Sequence, residues 1–238
     1  MKNPNFSMVA ISLITFSAAT SYAQSGLTLN FSSIVGSPIV FGGSADTFNF
    51  TGVPLNLPNP SIPGGEQWQI TSESGIPNDT AADFLFGAID NGPFRYTDIT
   101  TSGLFQSATV TGPLGNLYIA DGTGGNLTGQ VNFFDVSTYG KAGGFLNAQV
   151  QINLTDVVYS GSNPDLQYLT ANQPGSVNLS FQFNPGLTLQ QLSTGSQSFI
   201  TSYSGSIAVS AVPEPSSLVM SALGGLGVLG LAFRSRKI

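Results

Sequence analysis

The chain has 238 residues, no cysteine, no histidine and a formal net charge of −6 at pH 7. Only 8% of its residues are charged while 41% are hydrophobic and 17 are phenylalanine, against roughly 25% charged residues in ordinary globular proteins. This composition excludes disulfides, thiolate metal sites and histidine-based acid–base or metal chemistry, and describes a chain that folds around an apolar core and is solvated by Ser, Thr, Asn, Gln and Gly.

The charges are unevenly placed. Between Gln24 and Val212 the basic residues are Arg95 and Lys141, against eleven acids. A body without a basic patch has nothing with which to neutralise a phosphate backbone, so nucleic acid is excluded as a partner.

Residues 1–23 read as a secretory signal helix. Lys2 supplies the positive start, Met8 to Phe16 the apolar stretch, and Ser21-Tyr22-Ala23 the small residues of a cleavage site, with cutting expected between Ala23 and Gln24. The apolar stretch is too short to cross a bilayer as a permanent anchor.

From residue 24 to 211 the dominant period is two. Val177-Asn178-Leu179-Ser180-Phe181-Gln182-Phe183-Asn184 and Ala148-Gln149-Val150-Gln151-Ile152-Asn153-Leu154-Thr155 alternate apolar with polar, and shorter versions start at Leu27, Phe48, Trp68, Val131 and Ile207. Such alternation puts one face of a strand on a core and the other in water. Turn signals such as Gly42-Gly43, Asn91-Gly92-Pro93, Asp121-Gly122 and Asn184-Pro185-Gly186 separate the runs. The expected body is all-β: one antiparallel two-sheet, jelly-roll-like sandwich of roughly 10–14 strands. Helix is expected only as short turns, at Asn78 to Phe86 or Asn163 to Thr170. Val53 to Gly65, with four prolines, reads as a long loop over one end rather than a domain boundary.

Three chemistries remain open to such a body. Six acids lie between Glu66 and Asp98 (Glu66, Glu73, Asp79, Asp83, Asp90 and Asp98), and a carboxylate pair among them would serve glycoside hydrolysis. Their spacing fits turn positions better than a catalytic motif, so no catalytic residue is assigned. The same acids, or Asp121-Gly122-Thr123-Gly124-Gly125-Asn126, offer oxygens to calcium, although the Asp121 loop fits a hairpin turn better. No cofactor is otherwise implied. Trp68, Tyr96, Tyr118, Tyr139, Tyr159 and Tyr168 would make a glycan-stacking platform if exposed, but strand aromatics more often pack in cores or cross-strand pairs. Asn-x-Ser/Thr triplets at Asn49, Asn78, Asn126, Asn153 and Asn178 are common in so Asn-rich a chain and are not read as modification sites.

Residues 212–238 carry three signals in order. Pro213-Glu214-Pro215 keeps the backbone extended, 18 uncharged residues from Ser216 to Phe233 follow, and Arg234, Arg236 and Lys237 end the chain. As a helix at 1.5 Å per residue the apolar run spans about 27 Å, barely the hydrocarbon thickness, and four glycines weaken it as an anchor while letting it pack closely on another helix. The basic residues hold its end on the cytoplasmic side. This tail resembles the PEP-CTERM sorting signal of Gram-negative bacteria. The resemblance implies recognition in the inner membrane by an exosortase, a cysteine transpeptidase-like protease, with Pro213, Glu214 and Pro215 as recognition residues of a substrate. It implies a transiently anchored, then surface or extracellular protein. The expected role is structural or adhesive in the extracellular matrix and non-catalytic, with extracellular polysaccharide as a possible partner. A glycan-binding module using exposed aromatics and a carboxylate-dependent hydrolase are the alternatives.

Overall fold

The computed structural model describes residues 26–54, 62–75, 80–140, 146–194 and 196–210. The signal peptide with its Ala23–Gln24 junction and the sorting tail with its helix lie outside them, as does most of the Pro-rich loop. No helix among the described residues is long and apolar enough to cross a membrane.

The period-two runs form strands. In chain order they are β1 (Leu27–Ser33), β2 (Ile39–Phe41), β3 (Thr47–Phe50), β4 (Trp68–Ser74), β5 (Phe86–Asp90), β6 (Phe94–Ser102), β7 (Phe105–Thr111), β8 (Gly115–Ala120), β9 (Asn126–Gly140) and β10 (Leu146–Val158), followed by helix α1 (Pro164–Ala171), β11 (Gly175–Phe181), the short helix α2 (Leu189–Leu192), β12 (Phe199–Thr201) and β13 (Tyr203–Val209). The thirteen strands among the described residues fall within the expected number, and all their pairings are antiparallel. Helix α1 arises where a short turn of helix was expected. The Asn163 side chain accepts hydrogen bonds from the N–H groups of Asp165 and Leu166, and Pro164 occupies the first helical position, where a missing N–H costs nothing.

The architecture differs from a two-sheet sandwich. Strands β10-β11-β13-β1-β4-β5-β8-β9 form a ring, because β9 also pairs with β10 and closes it. Eight strands leave an interior that side chains just fill, and here the fill is apolar: Leu27, Leu29, Trp68, Ile70, Leu117, Ile119, Val150, Leu154, Val177 and Ile207 are all buried. The remaining strands form an outer arm in the order β7-β6-β3-β2-β12.

Strand β9 produces this arrangement. With 15 residues it is long enough for two neighbours on one edge: β8 pairs with Asn126 to Val131 and β7 with Asp135 to Tyr139. Its pairing with β10 slips between Phe133 and Asp135, leaving Phe134 as an extra residue. The buried positions therefore change from odd numbers (Leu127, Gly129, Val131, Phe133) to even ones (Val136, Thr138). The bulge thus lets one strand serve barrel and arm without turning its apolar face to water.

The arm is fixed by phenylalanine. The ring of Phe94 lies 4.1 Å from that of Phe133, Phe48 lies 5.5 Å from Phe133, Phe41 5.2 Å from Phe181, and Phe50 5.2 Å from Tyr203. Arm and barrel residues belong to one continuous core. Inside the barrel, Trp68 packs on Phe31 at 4.5 Å and lies across from Gly87, where a Cβ would overlap the indole ring. Helix α1 adds buried Leu166 and Leu169, and α2 adds Leu189 and Leu192.

Removing an aromatic ring from the seam leaves a cavity. Phe94→Ala is expected to lower unfolding free energy by about 3–5 kcal/mol in urea titrations, whereas Ile200→Ala, on the exposed face of β12, should change it by less than about 0.5 kcal/mol.

Candidate functional site

Most of the six acids read as possible catalytic partners are dispersed by the fold. Glu66 lies at the bridge to Val53, Asp83 in the turn before β5, Asp90 at the end of β5 and Asp98 at an irregularity in β6, while Asp79 lies outside the described residues. Glu73 meets a different acid. The Ala82 N–H donates to Asp165 Oδ2 at 2.8 Å and to Glu73 Oε2 at 3.3 Å, bringing together two carboxylates 92 positions apart in the sequence. Asp165 is fully buried in the first turn of α1, where the helix dipole favours a negative charge. Both groups hold the backbone of the 80–85 turn. Among the described residues no three carboxylates gather as metal ligands would.

Asp121 has a similar role on the neighbouring turn. Its Oδ1 accepts from the N–H groups of Thr123 (2.7 Å) and Gly125 (2.9 Å), and its Oδ2 from the hydroxyl of Tyr159 (2.8 Å). The Tyr159 oxygen in turn accepts from the Asn163 N–H at 3.0 Å, and the Asn163 amide donates to the Ala81 carbonyl at 2.7 Å. One chain of hydrogen bonds thus ties the β8–β9 turn, the β10–α1 connection and the turn before β5. Burial opposes ionisation of Asp121, but its hydrogen bonds from Thr123, Tyr159 and Gly125 outweigh it and hold the carboxyl below the usual carboxylate range. Burial pushes the Tyr159 phenol up, and the Asp121 charge adds to that rise.

The aromatics do not assemble as a platform. Trp68 and Tyr96 have no exposed surface, and Tyr118 packs against Ile62, Ala88 and Ala120. Tyr159 and Tyr168 pack on the core, and Tyr139 is exposed on β9, paired with Phe105. The Asn153 and Asn178 triplets lie within β10 and β11.

What the sequence did not single out is a trough on the outside of the barrel across β10, β11, β13 and β1, formed by grooves of about 740 and 320 Å³ that share Gln149, Ser180 and Ser204. Its side chains stand in cross-strand rows. Gln149, Ser180, Ser204 and Ser32 are successive partners in one row; Gln151, Asn178, Ser206 and Asn30 in the next. Every residue lining the trough is uncharged. The signal for these residues was present as the polar half of each alternation, but which strands would be neighbours was not.

The chain leaves the barrel beside its own beginning. Leu27, the first residue of β1, pairs with Val209, the last of β13. Two residues further on, residues 211–237 match the PEP-CTERM protein-sorting motif. The tail is a PEP-CTERM sorting signal. Comparisons with curated proteins and with solved structures each find no match.

The PEP-CTERM tail therefore departs from the same barrel end that the Asp121–Tyr159–Asn163 chain closes. Because the Asp121 pKa is lowered by folding, its contribution to stability is present above the unfolded carboxylate pKa and is lost as pH falls through the folded value. Asp121→Asn is expected to cost about 1–3 kcal/mol at pH 7. That difference should shrink as the pH falls below about 4. Urea unfolding of both proteins across this range checks the sign.

Proposed function

We propose that this is an exported protein processed at both ends, whose β-barrel body has a structural or adhesive, non-catalytic role at the cell surface or in the extracellular matrix. The observation that carries the reading is the PEP-CTERM match over residues 211–237, which implies export and handling by an exosortase in the inner membrane. The geometry of the barrel supports it. Three residues separate Val209 from Pro213, four Cα steps with a reach of at most about 14 Å, so an enzyme recognising Pro213, Glu214 and Pro215 works beside the barrel end that also carries Leu27. A signal peptidase cutting between Ala23 and Gln24 would meet the same end. Arg234, Arg236 and Lys237 then retain the tail's terminus on the cytoplasmic side until the cut.

The non-catalytic part of the reading is supported by how the acids are used. Asp121, Asp165 and Glu73 accept from backbone N–H groups that shape turns, which is the work of structural carboxylates. The glycan-stacking alternative loses its main residues, because Trp68 and Tyr96 belong to the core.

Glu214→Ala tests the sorting reading. Full-length protein should accumulate in the inner membrane, detected by fractionation and immunoblotting, while the unaltered chain is released. Release of the variant at the normal rate would overturn exosortase handling. The intact mass of the released form should correspond to a chain that begins at Gln24 and lacks Arg234, Arg236 and Lys237.

A further inference from the structure

The trough across β10, β11, β13 and β1 is more than flat strand surface, because two grooves of about 740 and 320 Å³ run along it. Gly205 lies at the centre of β13, opposite Leu179 and Phe31. A Cβ at this position would overlap the Phe31 ring and the Asn178 carbonyl oxygen. Without one, the Phe31 ring packs directly against the β13 backbone. The outer side chains on either side of it, Ser204 and Ser206, are short and lie between the longer Gln149 and Gln151 on β10 and Asn30 on β1. Strand spacing of about 4.8 Å then sets the interval between neighbouring groups in each row.

The chemistry of the rows is uniform. Gln and Asn carry a donor and an acceptor, and Ser carries both on one oxygen. Some of these groups bond one another, as between Ser180 and Ser204 at 3.3 Å or from Asn30 to Ser72 at 3.2 Å. The others face solvent. In a body with eleven acids the trough contains none, and Asp135, across from Gln151 on β9, places a negative charge beyond one end of its row. A cationic ligand has no carboxylate to pair with inside the trough. An anionic one has no cation to bind and meets the field of Asp135.

We propose that this trough is a binding site for an uncharged polyhydroxylated chain, a neutral polysaccharide, laid across the strands and held by paired donor and acceptor contacts from Gln149, Gln151, Asn178, Ser180 and Ser204. Binding is by hydrogen bonds rather than by aromatic stacking, so the affinity of each sugar unit is low and the length of the polymer supplies avidity. The inference goes beyond the sorting reading and stands or falls separately from it, since it is tested on purified protein without an exosortase.

The test is affinity electrophoresis of the full-length chain, purified in detergent, through gels containing a linear β-glucan, a mannan, dextran or alginate. At least one neutral polymer should retard the protein, and Ser204→Leu should weaken that retardation at least tenfold without changing the melting temperature. Gln149→Leu, at an exposed position on β10, should do the same and replaces Ser204→Leu if the latter fails to melt cooperatively. Thr100→Leu on the outer arm should bind as the unaltered chain does. The proposal is overturned if no neutral polymer retards the chain, if only alginate does, if the trough variants bind undiminished, or if light scattering shows a dimer that Ser204→Leu dissociates.

Discussion

The packing of Phe94 against Phe133, with ring centres 4.1 Å apart, makes barrel and arm a single body. Phe133 stands on β9 immediately before the bulge at Phe134, where the strand exchanges β8 for β7 on one edge. Had the alternation continued without that extra residue, Val136 and Thr138 would face outward and the arm would lose its footing on the core. Around the contact gather Phe48, Phe50 and Tyr203, and further along Phe41, Phe181 and Phe183, in tilted and edge-on arrangements suited to aromatic quadrupoles. With few charged residues available, the core is held largely by aromatic surface, in which Phe31, Phe41, Phe48, Phe50, Phe94, Phe133, Phe181 and Phe183 are buried.

Polar groups handle what the rings cannot. At the end of the barrel where β1 begins and β13 finishes, the turns are tied by a chain of side chains from Asp121 through Tyr159 and Asn163 to Ala81, with Asp165 and Glu73 meeting on the next N–H. The scarcity of charge elsewhere makes this clustering conspicuous, yet the acids serve turns and a helix start. The same end gives rise to the PEP-CTERM tail. There the carboxylates of Asp121, Asp165 and Glu73 close the turns through hydrogen bonds to backbone N–H groups.

Much of the fold was legible in the sequence. The alternation at Ala148 to Thr155 appears within β10, and that from Val177 to Asn184 lies in β11 as far as Phe181, both with the expected faces; Asn163-Pro164 begins the one helix of two turns among the described residues. The sandwich was not borne out. Alternation assigns one face to a core but does not say whether that core is enclosed by two sheets or by one sheet closed on itself, since both satisfy the same pattern. Ring closure depended on β9 and β10 being long enough to pair along their length while β9 also accommodated β8 and β7, a fact about edges rather than faces. The aromatics illustrate the same limit. Trp68 lies between polar neighbours in sequence and is wholly buried, because its indole occupies the space left by Gly87 on the adjacent strand.

By itself the sequence determined the sorting motif and the element type. The sorting motif over residues 211–237 matches as a linear pattern of residues, and period-two patterning specifies strands through local burial alone. Only the tertiary structure decided which polar residues share a surface. Gln149, Ser180, Ser204 and Ser32 are separated by up to 172 positions in the chain and become one row because β10, β11, β13 and β1 are neighbours in the ring. Glu73 and Asp165 meet for a similar reason, across a turn and a helix start that no spacing rule connects. Strand order is set by which edges pair, a long-range choice that the side-chain pattern of any single strand does not encode.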